Sequence, residues 1–209
     1  MNNLKMQGGC KVEAKIKEIF EFGKTPINQE LFLKLINIGE MTNSDFSTYL
    51  SLSPLMYKKI YLISSEDGLK QCLYENNDLD ALDYYLENRA VFAYNAQIII
   101  LYLPNIGKSL NEIQTREDDP EGKIFFTMLM FSCLFHELNH AFYYKKALHD
   151  KAIEYDVFMA EEIATEAEGE LLNEINEFVN SSKPGWAGLA EVLFDWDVLM
   201  PIVNKARGL

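Results

Sequence analysis

An α+β fold is predicted for this 209-residue chain by three observations. Stretches 57–64 and 90–103 are rich in β-branched and aromatic residues, enough for a small mixed sheet but too little for an all-β domain. From Ile124 to Phe135 the run IFFTMLMFSCLF is apolar on nearly every side, which marks the buried central helix of a domain. From Met159 to Val179 an acidic segment repeats apolar residues at helical spacing and reads as a second helix packed beside the first.

The elements follow in order. Residues 11–23 (KVEAKIKEIFEFG) place Val12, Ile16, Ile19 and Phe20 at helical spacing, with Gly23 as a stop. A second helix is expected over 28–38, with Leu31, Leu35 and Ile36 inward, before polar loops at 42–53. Residues 1–45 are therefore read as an N-terminal helical flank and 46–209 as the main domain. YKKIYLIS (57–64) reads as a strand closed by a Ser-Glu-Asp-Gly turn, and 69–74 and 79–86 as short helices. Ala90–Tyr94 and Ala96–Leu103 are strand segments, the second continuous enough to be buried on both faces, with Asn95 as a bulge between them. Pro104 ends that strand, and a polar loop is expected up to Pro120. Asp119 suits an N-cap, Pro120 the first helical position and Glu121 the positive helix end, so the apolar helix should run from there to about Ala147.

A formal charge of −13 argues against nucleic acid or an anionic membrane as partner, since both need a basic surface. Cys10, Cys72 and Cys133 have no C-x-x-C spacing and suggest reduced thiols, with Cys133 a small core residue. Met1 to Cys10 is polar and lacks the apolar stretch of a cleavable signal, and no run is long enough to span a bilayer. The expected location is the cytoplasm of the producing cell. Secretion into a host cell through an uncleaved N-terminus is compatible with the same observations.

The chemistry concentrates in Phe135-His136-Glu137-Leu138-Asn139-His140-Ala141. Histidines four apart on a helix project from one face and can close on one metal ion. Glu137, about 100° round the helix, is placed to act as general base toward water rather than as a ligand. The residues fit a zinc hydrolase of the H-E-x-x-H type with Zn2+ as cofactor. Two unpartnered imidazoles on a buried helix would cost a few kcal/mol, whereas metal ligation gives each nitrogen a partner.

A catalytic zinc site needs a third protein ligand. A histidine ten residues after the first is excluded, because that position is Lys146 and the glycine expected before it is Tyr143. His149, the remaining histidine, lies nine residues after His140, past the expected helix end, and is the weaker candidate. The acidic helix offers Glu161, Glu162, Glu166, Glu168, Glu170, Glu174 and Glu177, most of which read as a solvated face. Periodicity does not choose between Glu162 and Glu166, which stack at i and i+4. Glu162 in fact lies nearly opposite the centre of the apolar stripe formed by Ile163, Ala164, Ala167, Leu171, Ile175 and Phe178.

The combination of His136-Glu137-Leu138, His140-Ala141 and Glu161-Glu162-Ile163 with Thr165 resembles the glutamate-zincin peptidases. Within that clan it is most similar to the clostridial neurotoxin light chains and the small NleD-type secreted effector proteases. The resemblance covers about thirty residues, of which roughly ten are informative. It departs from the neurotoxin pattern in a shorter spacing from His140 to Glu162 and in Ala167 where a glycine is expected. The resemblance implies a zincin-like metallopeptidase domain over 46–209, Glu162 as third ligand (Glu166 the alternative) and Glu161 supporting the site. It implies a zinc endopeptidase with a protein or peptide substrate, of the effector or toxin kind. A further comparison with ImmA/IrrE-like peptidases also favours Glu162 or Glu166, and suggests an intracellular peptidase as the alternative. A non-catalytic zincin-fold regulatory or binding protein is the third reading, and retention of Glu137 argues against it. Tyr143, Tyr144, Tyr155 and Arg207 are the candidate donors to a developing oxyanion. The strand 96–103 is expected to form the cleft-side sheet edge or the strand next to it.

Overall fold

Short strands of β-branched residues, paired mostly in parallel, form the centre of the molecule. The computed structural model describes residues 15–19, 27–28, 30–32, 34–35, 59–113, 120–149, 155–181 and 185–209. Strands β1 (Lys15–Ile19), β2 (Lys59–Ile63), β3 (Ala90–Ala93) and β4 (Ile98–Tyr102) form a mixed sheet in the order β1-β2-β4-β3. β1 and β4 run parallel to β2, while β3 pairs antiparallel with β4 from Ala90↔Leu101 to Ala93↔Ile98. The α+β class and the small mixed sheet are thus as expected.

Around the sheet lie α1 (Glu66–Glu75), α2 (Leu82–Glu87), α3 (Leu103–Lys108), α4 (Pro120–His149), α5 (Val157–Ser181), α6 (Gly185–Leu193) and α7 (Trp196–Arg207). Alternation along the strands divides the core between the two sheet faces. Ile60, Leu62, Phe92, Ile99 and Leu101 join Phe126, Phe131, Leu134 and Phe135 of α4 on one face, with Leu189 of α6 and Leu199 of α7. Tyr61, Ile63, Val91, Ile100 and Tyr102 pack with Leu69, Cys72 and Leu73 of α1 on the other. β4 is therefore buried on both faces, as its continuous apolar sequence predicts.

Three expectations are corrected. Residues 15–19 form an edge strand rather than part of a helix. Their apolar spacing suits either period, and parallel pairing with β2 decides for strand. The N-terminal flank is accordingly not wholly helical, although residues 30–32 and 34–35 are helical, with Phe32 and Leu35 buried. Asn95 is not a bulge in one long strand. Residues 94–97 turn the chain back on itself, with Gln97 at φ 55° and its N–H donating to the Ala93 carbonyl at 2.7 Å. β4 ends at Tyr102, two residues before Pro104, and Leu103–Lys108 form α3 instead of a loop, because proline fits the first helical turn and Ile106 is buried there. α3 packs tightly on α7: a Cβ at Gly107 would lie 3.3 Å from the Val203 Cα. The expected loops at 42–53 lie outside the described residues.

Candidate metal centre

The long apolar helix α4 carries the H-E-x-x-H residues in its second half, where Leu138, Ala141 and Phe142 still face the core. Its neighbour α5 is started by Asp156, whose Oδ1 accepts from the N–H groups of Phe158 and Met159 at 2.8 and 3.2 Å. Buried Ala160 and Ala164 face inward from α5, and their small side chains allow close approach to α4. Residues 161 and 168 lie on the same face of α5 as Ala164, at the i, i+3 and i+7 spacings.

Four polar groups converge there. His136 Nε2 lies 3.0 Å from His140 Nε2 and 3.1 Å from Glu161 Oε2, and His140 Nε2 lies 3.4 Å from Glu161 Oε1. Behind the pair, His136 Nδ1 meets Glu168 Oε2 at 3.3 Å. Among the described residues, His136, His140 and Glu161 are the group whose donor atoms come close enough to hold one metal ion. Glu161, rather than Glu162 or Glu166, therefore stands against the histidines. Glu162 and Glu166 are exposed, on the side of α5 turned away from Ala160 and Ala164. Glu168, which sequence reading left among the solvated acids, supports His136. Its signal was the seven-residue spacing from Glu161, two turns along one face.

The donor set fits zinc. Bonds of about 2.0–2.1 Å in a tetrahedral shell place ligand atoms roughly 3.3 Å apart, close to the separations seen. Two imidazoles and a carboxylate are common zinc ligands, and a carboxylate on the outer nitrogen of a ligating histidine is a usual support. The outer Nδ1 of His140 is buried without a hydrogen-bond partner. The electrostatics separate the two rings. The Glu168 carboxylate raises the pKa of His136, whereas burial and the neighbouring His136 charge lower that of His140.

Glu137 is buried beside this group, and its Oε2 accepts the Phe92 N–H of β3 at 2.6 Å. Burial pushes its carboxyl up to about 7, with Glu161 and Glu168 acting in the same sense and His136 and the Phe92 N–H opposing. A carboxylate poised near neutrality suits a general base. Burial also pushes the Cys133 thiol up to about 12, in keeping with a core residue rather than a thiolate ligand.

Two cavities meet at the centre. One, of about 440 Å³, is bounded by β3, Tyr84, Tyr94, Val157, both histidines and Glu161. The other, of about 380 Å³, is bounded by Glu87, Arg89, Cys133 and Glu168. They share Asn88, Ala90, His136 and Glu137, so a groove passes the centre along β3, the edge strand. β4 is the strand next to that edge.

None of the four expected donors lines either cavity. Tyr143, Tyr144 and Tyr155 pack together, with Tyr155 5.5 and 5.4 Å from the other two rings and 5.1 Å from Tyr94. Arg207 donates through Nε to Asn111 at 2.7 Å. Tyr84, Tyr85 and Tyr94 line the groove instead; the Tyr85 hydroxyl donates to Asp78, and the Glu137 charge reaches Tyr84 and Tyr94. The side chain of His149 lies outside the described residues. No helix among the described residues is long and apolar enough to cross a membrane. No protein-family model, curated protein or solved structure matches the chain.

Proposed function

We propose that this chain is a zinc-dependent endopeptidase with a zincin-like domain, its metal held by His136, His140 and Glu161. The observation that carries the reading is the meeting of these three side chains beside the buried carboxylate of Glu137, in a groove that continues on both sides. A groove open past the centre at both ends suits the interior of a polypeptide better than a chain terminus. Val157, an exposed apolar residue in the groove wall, supports a polypeptide substrate.

Zinc, when bound, would polarise the substrate carbonyl and make hydroxide available near neutral pH. The chain's own residues do the rest. Glu137 takes a proton during attack and returns it to the departing amine, and the Phe92 N–H fixes the carboxylate for that exchange. Glu168 holds the His136 ring in orientation. The hydroxyls of Tyr84 and Tyr94 are the candidate donors to the developing oxyanion.

The test is to incubate zinc-loaded protein with denatured protein substrates and a random peptide pool, and to map new termini by mass spectrometry. Internal cleavage is expected, slowed at least about 100-fold by Glu137→Gln, as for loss of a general base. Undiminished cleavage by that variant, or release of terminal residues alone, would contradict the proposal.

A further inference from the structure

We infer that the larger lobe of the groove is a subsite for a basic side chain, lysine or arginine, with Asp78 as its specificity-determining residue. The inference rests on the peptidase reading for its setting, and deepens it by naming a substrate class.

Asp78 lies on the wall of the same cavity that holds His136, His140 and Glu161. It occupies the N-cap position of the 3₁₀ turn Leu79–Ala81, where an aspartate ordinarily accepts a backbone N–H. Here it makes no such cap bond. Its Oδ2 accepts instead from the Tyr85 hydroxyl at 2.5 Å, which fixes the carboxylate at the cavity wall and leaves Oδ1 to meet a ligand. The backbone holds it there from the other side: its N–H donates to the Leu73 carbonyl at 2.9 Å, just past the end of α1.

The surroundings select the charge. No lysine or arginine is among the described residues lining this lobe, whose ionisable groups are Asp78, Glu137, Glu161, two histidines and three tyrosines. A divalent metal would balance Glu161 and Glu137, leaving the Asp78 carboxylate without a cation. The rings of Tyr84 and Tyr85 stand edge to face at 5.8 Å beside it. Aromatic faces attract a guanidinium or ammonium, and their apolar area suits the methylene stem of a long basic residue. A carboxylate with an aromatic wall thus favours a cationic side chain and disfavours an acidic one.

The experiment separates this subsite from catalysis. N-acetyl-arginine N-methylamide and its neutral citrulline counterpart are titrated into Glu137→Gln protein by NMR, with and without Asp78→Asn. The arginine probe should bind at least about tenfold more tightly than citrulline, the order expected of one charge-assisted hydrogen bond, and Asp78→Asn should abolish the difference. The asparagine keeps an acceptor for Tyr85. Tyr84→Ala, which removes one wall at an exposed position, should weaken the arginine probe several-fold. Equal binding of the two probes, or a preference that survives Asp78→Asn, would overturn the inference. Arginine-selective binding by a protein that cleaves no peptide would leave the subsite standing and defeat the peptidase reading alone.

Discussion

Glu137 is held at a cost in folding free energy. Its carboxyl lies in the protein interior at about 7, above its ordinary value of 4.5, because burial penalises the charged form. In metal-free protein, a raised carboxyl pKa leaves stability intact below pH 4.5 and removes it as pH rises through about 7. The loss should reach about 3 kcal/mol. Urea unfolding of chelator-treated protein at pH 5 and pH 8 should show this fall in wild type and lack most of it in Glu137→Gln. Parallel pH profiles would show that Glu137 is not held in this way. His136, Glu137 and His140 were legible in sequence because one helical turn fixes their relation. Glu161 was not, since its role depends on the rotation of α5 against α4. The stripe that set Glu162 away from the core was nevertheless readable, and the structure agrees with it rather than with the ligand the resemblance implied.

At the scale of elements, the α4–α5 pair builds the centre. Glu161 and Glu168 are two turns apart on α5 and both reach His136, so in the proposed centre one helix would supply a ligand and the support for another. Glu168→Ala should therefore weaken zinc binding about 10- to 100-fold, the usual effect of removing such a support, with little change in thermal stability of the metal-free protein. A competition titration against a zinc chelator measures this, and an unchanged affinity would remove Glu168 from the site. The two long helices were readable because their patterns are local: apolar all round in α4, striped in α5. β1 was misread because its partner β2 is some forty residues away and no local pattern records the pairing. The 94–97 turn was missed because Gln97, not glycine, takes the left-handed conformation, so the usual turn signal is absent. α6 and α7 carry no chemical motif in sequence, although both bury apolar faces against α4 or α3.

Across the whole molecule, the sheet and α4 form the floor, and the groove runs along the edge strand between α2 and α5. Its walls come from the 78–87 segment, which carries Asp78, Tyr84 and Tyr85, and from Tyr94 beyond β3, and no motif in the sequence joins them. The architecture matters for function only if the centre takes up metal. The most direct test is equilibrium dialysis against zinc followed by metal analysis of wild type, Glu137→Gln, His140→Ala, Glu161→Ala, Glu162→Ala and Glu166→Ala. The account predicts about one zinc per chain in wild type, Glu137→Gln, Glu162→Ala and Glu166→Ala, as for a single three-ligand site, and loss in His140→Ala and Glu161→Ala. Wild-type protein that emerges without zinc, or zinc kept by Glu161→Ala and lost by Glu162→Ala, would contradict it.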